Sequence, residues 1–158
     1  MFLIALVAGI GLTIRYGLVT SPDEAATNAA PRISDGAFEH SASAICSTYV
    51  KVFDTETTLG DTPTKEEAGA FLSSIAGSFD TMVIALRDLP VAAPDRTAVE
   101  TWLSDWEKYD AYGHQYAAAV KAGAERDLVA HDKTSVDALL RTRNGFAHAN
   151  HMSPCAFH

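Results

Sequence analysis

Two histidines near the carboxyl end have the spacing of metal ligands. His148 and His151 are three residues apart, so on a helix they share one face, and two imidazoles so placed can bind one metal ion. His114, His131 or His158 would supply a third ligand if the fold brought one near. The pattern lacks the glutamate of an H-E-x-x-H motif. Solvent-exposed histidines near a chain end are therefore the competing interpretation.

An aromatic series between residues 102 and 116 offers a second candidate, a ligand or partner surface. Trp102 and Trp106 are four residues apart, and Tyr112 follows them. This spacing places both tryptophans on the apolar face of a helix, which favours the core over a ligand pocket. Tyr112 falls off that face, so we expect it to be exposed or at an interface.

A carboxylate and an imidazole are also spaced for acid–base chemistry. Asp110 and His114 are one helical turn apart, and an aspartate so placed can orient a histidine as a base. Such a base needs a nucleophile, and no G-x-S-x-G motif is present. We therefore predict that the protein is not an enzyme and uses no cofactor.

The chain is acidic and of globular composition. Its 158 residues hold 20 acidic and 12 basic side chains, for a net charge of −8, and 47% of them are apolar. Binding to nucleic acid requires clustered lysine and arginine, so we predict no nucleic-acid partner. Arg141 and Arg143 lie on either side of Thr142. We expect them on a solvated helix face, or facing anionic lipid if that end lies near a membrane.

From residue 37 onward the apolar residues recur every three or four positions, which predicts amphipathic helices. Four of them joined by short loops favour an all-α, antiparallel four-helix bundle. Residues 124–133 could continue a helix or form a loop. The predicted boundaries are a start at Ser34 or Asp35 and an end near Gly60 for the first helix, a Thr64 and Glu67 capping box and an end before Pro90 for the second, a start near Pro94 and an end at Gly123 for the third, and a start at Thr134 or Ser135 for the fourth.

The amino-terminal residues 1–19 predict a transmembrane or signal-anchor helix, because residues 2–14 are almost uninterruptedly apolar. A cleaved signal peptide and a buried core helix are the alternatives. Arg15 follows the apolar run, which by itself favours that side in the cytoplasm. That orientation conflicts with a domain outside the cytoplasm, and a basic stretch missing before Met1 would remove the conflict. Residues 20–36 contain two prolines and little apolar content, so they predict a flexible linker to a domain at residues 37–158.

The only two cysteines are 109 positions apart, at Cys46 and Cys155. In an even up-and-down bundle, the start of the first helix and the end of the last lie at the same pole, so the two can meet. A disulfide between them would imply an oxidising compartment outside the cytosol. The alternative is two separate buried thiols.

The end of the sequence resembles that of small exported or membrane-anchored actinobacterial proteins. Phe146-Ala147, Asn150, Met152 and Cys155 are similar to their "FA…N-x-M-x-x-C" ending, and Cys46 with Tyr49 to their early "C-x-x-Y/F" helix. The resemblance implies an extracytoplasmic helical domain with a Cys–Cys staple. It implies no catalytic residue.

Together these features predict a single-pass protein of the cell membrane whose carboxy-terminal domain lies outside the cytoplasm. Its expected partners are the lipid bilayer, through the amino-terminal helix, and a protein or other component of the cell envelope. The leading function is a non-enzymatic interaction or accessory module. The alternative is a protein that binds a small ligand or a metal ion through the bundle interior or the terminal histidines.

Overall fold

The computed structural model describes residues 24–55 and 62–156, and within those ranges all regular structure is helical. This confirms the all-α fold class. The predicted amino-terminal helix at 1–19 lies outside the described residues. The elements are α1 (Glu24–Ala29), α2 (Gly36–Thr55), α3 (Lys65–Arg87), α4 (Arg96–Ala122) and α5 (Glu125–Ala149), with 3-10 turns at Ala93–Asp95 and Ser153–Cys155.

Local capping interactions set several of the helix ends. The backbone N–H of Glu67 donates to Thr64 Oγ1 at 3.2 Å, and the Glu67 carboxylate accepts from the Thr64 N–H at 2.8 Å. Asp35 accepts from the N–H of Phe38 at 3.1 Å at the start of α2. Gly123 ends α4 in the left-handed conformation, at φ 73°, which glycine adopts without steric cost. These caps confirm the predicted starts of α2 and α3 and the predicted end of α4.

The last helix is longer than its apolar pattern indicates. It begins at Glu125 rather than at Thr134 or Ser135, so residues 125–133 are helical. Glu125 and Asp127 lie in its first turn, where carboxylates interact favourably with the helix dipole. Few side chains of this segment are buried, so its sequence is polar. A polar segment shows no apolar periodicity, and the pattern therefore does not predict this part of the helix.

Helices α3 and α4 pack against each other more extensively than any other pair. Gly69 lies so close to α4 that an added Cβ would be 2.8 Å from Lys121 Cβ. Toward the other end of α3, Arg87 Nε donates to Glu107 Oε1 at 2.6 Å, so the two helices run antiparallel. By length and composition α3 could also span a membrane, a test that core helices of soluble proteins pass as well.

Aromatic side chains from three helices form the centre of the core. The rings of Trp102 and Phe146 stack with centroids 5.4 Å apart, and Phe38 meets Trp102 edge-on at 6.3 Å. Phe38, Trp102 and Phe146 are almost completely buried. Aromatic pairs of this kind contribute about 0.5–1.5 kcal/mol each beyond their burial, so they fix α2, α4 and α5 relative to one another.

The segment before α2 differs from the flexible linker predicted for residues 20–36. Its carboxy-terminal part contains α1 and packs along α5. The close approach is made at Gly145, where an added Cβ would be 3.0 Å from the backbone of Ala26. The apolar side chain of Ile33 is buried. From residue 24 to the start of α2, the segment whose proline and small-residue content predicts a tether therefore packs closely against the domain. We refer to this segment as the strap.

Asn150 holds this strap to the end of α5. It is buried, its Oδ1 accepts from the N–H of Ile33 at 2.8 Å, and its Nδ2 donates to the carbonyls of Pro31 and Phe146 at 3.0 and 2.9 Å. One side chain thus satisfies three backbone groups that folding removes from water.

We expect Asn150→Ala to lower the free energy of unfolding by about 2–3 kcal/mol, because it leaves buried backbone groups without partners. Chemical denaturation measures this loss. Hydrogen exchange of the Ile33 amide should accelerate more than that of amides within α4. Equal acceleration throughout the protein would contradict an anchoring role and indicate a general loss of stability.

Candidate functional site

Three ionisable side chains from two helices come together on the α3–α4 face. They are Asp80 of α3 and Asp110 and His114 of α4, with one ligand atom from each within 4.8 Å of the others. His114 Nε2 lies 3.0 Å from Asp80 Oδ2 and 4.0 Å from Asp110 Oδ2. Asp80 and His114 are about half exposed, whereas the Asp110 side chain is only 10% exposed. We refer to these three residues as the Asp–Asp–His cluster.

Small residues bring the two helices close enough to form this cluster. Ala76 of α3 faces Gly113 of α4, where an added Cβ would be 3.8 Å from the Ala76 Cβ. Asp80 is one turn beyond Ala76, and Gly113 lies beside His114. Small side chains at a crossing allow helix backbones to approach, so carboxylate and imidazole groups can meet across it.

The cluster is electrostatically asymmetric. Burial raises the pKa of Asp110 to about 7, and the neighbouring Asp80 carboxylate adds to this effect. A hydrogen bond from Asp110 lowers the pKa of Asp80, and the contact with His114 acts in the same direction. Two carboxylates side by side cannot both ionise without repulsion, and the more buried one retains the proton. The pair therefore shares one proton near neutral pH, with Asp110 as donor and Asp80 as acceptor.

Such a group of side chains can hold a proton or a cation between its oxygens. Asp110 and His114, which the sequence places one turn apart on one helix, both belong to the cluster, but His114 contacts Asp80 more closely than Asp110. Asp80 is 30 residues before Asp110, and no local spacing connects them. Only the antiparallel contact of α3 with α4 identifies it as a member of the site.

Replacing Asp110 by asparagine should stabilise the protein at alkaline but not at acidic pH. The pKa of Asp110 rises from 3.8 to about 7 on folding, so the folded state binds the proton more tightly. Its contribution to stability is complete below about pH 4 and is lost as the pH rises to about 7. Asparagine keeps an N–H donor toward Asp80 and stays uncharged at every pH, so it does not lose this contribution.

We therefore expect Asp110→Asn to exceed the wild-type melting temperature by several degrees more at pH 8 than at pH 5, measured by circular dichroism with a chelator present. About 1 kcal/mol corresponds to roughly 2–4 °C in a protein of this size. Asp127→Asn, at an exposed position on α5, is the control and should shift melting equally at both pH values. The same result for Asp110→Asn would contradict the shared proton.

Comparisons of the chain with models of protein families, with curated proteins and with solved structures give no match.

The tryptophans predicted as a possible ligand surface lie in the core instead. Trp102 and Trp106 are 2% and 0% exposed, and Trp102 Nε1 donates to the carbonyl of Arg143 at 3.2 Å. Neither lines the 330 Å³ surface hollow between the start of α2 and residues 89–92. Trp102 is covered by α2 and α5 and Trp106 by α3 and α5, so neither ring presents a face to a ligand.

Tyr112, predicted to be exposed or at an interface, is half-buried. Its ring stacks on that of Tyr116, with centroids 6.3 Å apart. Burial raises the pKa of Tyr112, and the carboxylate of Asp132 on α5 adds to the effect. Tyr112 thus lies at the junction of α4 with α5.

Arg143 is fully buried, which corrects the expectation of a solvated face for Arg141 and Arg143. Its guanidinium carbon lies 3.9 Å from the ring centroid of Trp106 and 4.4 Å from that of Tyr109. Arg141 remains exposed. Burial lowers the pKa of Arg143 to about 10, while Tyr109 favours its charged form. The buried cation is held by aromatic faces, an arrangement for which arginine is suited.

His148 and His151 do not share a helix face. Helix α5 ends at Ala149, and His151 lies beyond it in the left-handed conformation, at φ 56°. His148 is half-buried and His151 is exposed. Residues three positions apart share a face only within one continuous helix, and α5 ends between these two histidines.

The predicted cysteine pairing is present in the structure. Cys46 of α2 and Cys155 of the last 3-10 turn are disulfide-bonded, with their Cα atoms 5.1 Å apart, and both are fully buried. Ser153–Cys155 packs against α2. The disulfide thereby fixes the carboxyl end of the described chain to the first long helix.

Proposed function

We propose that this protein is a non-enzymatic accessory module of the cell envelope, a helical bundle displayed outside the cytoplasm on a single membrane anchor. The observation that carries the proposal is the buried Cys46–Cys155 disulfide. Disulfides persist in oxidising compartments and are rare in the cytosol. The resemblance of the sequence ending to exported actinobacterial proteins supports the same location.

The packing of α1 favours a short connection to the membrane. If residues 1–19 form the anchor, only residues 20–23 separate it from α1. At no more than about 3.5 Å per residue, four residues span roughly 14 Å. The end of the domain that carries α1, Asn150 and the disulfide would then lie next to the bilayer. The opposite end, with Gly123, would point away from it.

The surface favours recognition through polar and charged contacts. Among the residues that the structure describes, the exposed large apolar side chains are Ile84 at 62% and Val129 at 38%. Two such residues do not make the broad apolar patch typical of an obligate interface. The chain carries a net charge of −8. We therefore propose a partner in the envelope with a basic contact surface.

Labelling with a membrane-impermeant maleimide tests the location. A cysteine introduced by Arg126→Cys, at an exposed position on α5, should react in intact cells of the source organism. The wild-type protein is the control and should not react, because both of its cysteines are in the disulfide. Labelling of Arg126→Cys only after lysis would overturn the proposed orientation.

Photo-crosslinking in native membranes tests the partner. A benzoylphenylalanine in place of Ile84 should give one discrete adduct, and raising the salt concentration should reduce its yield, because exposed charge contacts are screened by salt. The same probe at position 126 is the control for random collision. An adduct formed equally from both positions and unaffected by salt would contradict a specific, charge-dependent partner.

A further inference from the structure

We propose that the Asp–Asp–His cluster binds a divalent transition-metal ion, with Zn²⁺ as the reference ion. This site is separate from the terminal histidines, and it requires neither the proposed location nor the envelope partner. The donor set of one imidazole nitrogen and two carboxylate oxygens suits Zn²⁺, and also Mn²⁺ and Fe²⁺.

The distances between the donor atoms agree with a shared ion. Zinc binds imidazole nitrogen and carboxylate oxygen at about 2.0–2.2 Å, which places two tetrahedral ligands about 3.4 Å apart. His114 Nε2 lies 3.0 Å from Asp80 Oδ2 and 4.0 Å from Asp110 Oδ2. The observed separations bracket the required value. Small side-chain rotations at the two half-exposed residues would complete the coordination.

The buried carboxyl group of Asp110 is the second observation that points to a ligand. Its side chain is nine-tenths buried; Oδ2 is the oxygen that lies 4.0 Å from His114 Nε2, and Oδ1 of the same carboxyl group has no hydrogen-bond partner among the described residues. A buried carboxyl oxygen without a partner is unfavourable. An ordinary surface ion pair leaves no such atom, because exposed carboxylates are hydrated. A cation bound to this carboxyl group would offset its desolvation cost.

The positions of the three residues favour an exchangeable site rather than a structural one. Asp110 and His114 are one turn apart on α4, and Asp80 approaches from α3. Two helices therefore fix the ligands without any loop. Three protein ligands leave a fourth position for water or for a donor group from another molecule. Since Asp80 and His114 are about half exposed, that position faces solvent.

Isothermal titration calorimetry of the full chain, freed of metal by a chelator, tests the site. We expect one Zn²⁺ per chain, and about tenfold or greater loss of affinity in each of Asp80→Asn, Asp110→Asn and His114→Gln, since even residues that only orient metal ligands change affinity 10–100-fold. Replacing Zn²⁺ by Co²⁺ gives a second readout, an absorption band from nitrogen and oxygen coordination. That band should disappear in His114→Gln.

The protein offers matched controls for these variants. His131 and Asp132 form another surface pair, with His131 Nδ1 2.6 Å from Asp132 Oδ1, and His131→Gln should leave Zn²⁺ affinity unchanged. Circular dichroism of Asp80→Asn and His114→Gln shows whether these variants remain folded. Absence of stoichiometric binding would overturn the proposal, as would binding that His151→Gln abolishes and the cluster variants do not affect.

Discussion

Reduction of the Cys46–Cys155 disulfide should lower the free energy of unfolding by about 4–5 kcal/mol. In the chain-entropy model the stabilisation comes from restricting the unfolded chain and grows with loop length. The bond joins residues 109 positions apart. A loss of this size is a large part of the roughly 5–15 kcal/mol by which domains are stable.

Urea denaturation of the oxidised wild type and of the double variant Cys46→Ala/Cys155→Ala measures this loss. The two single variants are the controls. All three variants break the same loop, so they should unfold at nearly the same urea concentration, well below that of the wild type. Both sulfurs are fully buried, so small differences between the variants report packing around each cysteine. Equal stability of the wild type and the double variant would contradict the model.

The same change should act locally on the strap and the carboxyl end. The last 3-10 turn contacts α2 and α5, and Asn150 holds residues 31–33 only a few residues earlier. Without the disulfide, amide exchange should increase first near Ile33 and Met152, while amides in α3 and α4 exchange through global unfolding. The staple thus stabilises the end of the domain that we propose to lie next to the membrane.

The features that the sequence predicts well are those set by neighbours within one helical turn. The Thr64 and Glu67 capping box, the Asp35 cap and the Gly123 terminus each depend on residues that are close in the chain. Their side chains and backbone groups interact in the same way in most tertiary contexts. The cysteine pair is a long-range exception, predicted because an even up-and-down bundle brings the start of its first helix and the end of its last to the same pole, and because an apolar, export-like segment precedes the domain.

The features that the sequence does not reveal depend on how the helices are rotated against each other. The sequence predicts a solvated face for Arg143 as for Arg141, but the orientation of α5 places the Arg143 guanidinium against the rings of Trp106 and Tyr109. No local spacing marks Asp80, which meets Asp110 and His114 across the α3–α4 contact. Rotations of this kind follow from the packing of all the helices together, which one amphipathic pattern does not determine.

Among the polar side chains of the core, the buried side chain of Arg143 should be the one whose replacement destabilises the protein most. We expect Arg143→Ala to lower the free energy of unfolding by about 3–5 kcal/mol, because it removes a large buried side chain and leaves a cavity beside two aromatic rings. Arg143 also donates to Asn144 Oδ1, at 3.3 Å from Nε and 3.1 Å from Nη2. Arg141→Ala, at an exposed position two residues earlier, is the control and should change stability by less than about 0.5 kcal/mol.

Two further substitutions separate the charge of Arg143 from its volume. Arg143→Met keeps most of the volume and removes the cost of burying a cation, so it should recover much of the stability lost in Arg143→Ala. Arg143→Lys keeps the charge but lacks the planar group that lies 3.9 Å from the Trp106 centroid. We expect it to be less stable than Arg143→Met in urea denaturation. If Arg143→Lys were instead as stable as the wild type and Arg143→Met were as unstable as Arg143→Ala, the positive charge itself, rather than planar stacking and volume, would hold α5 against α4.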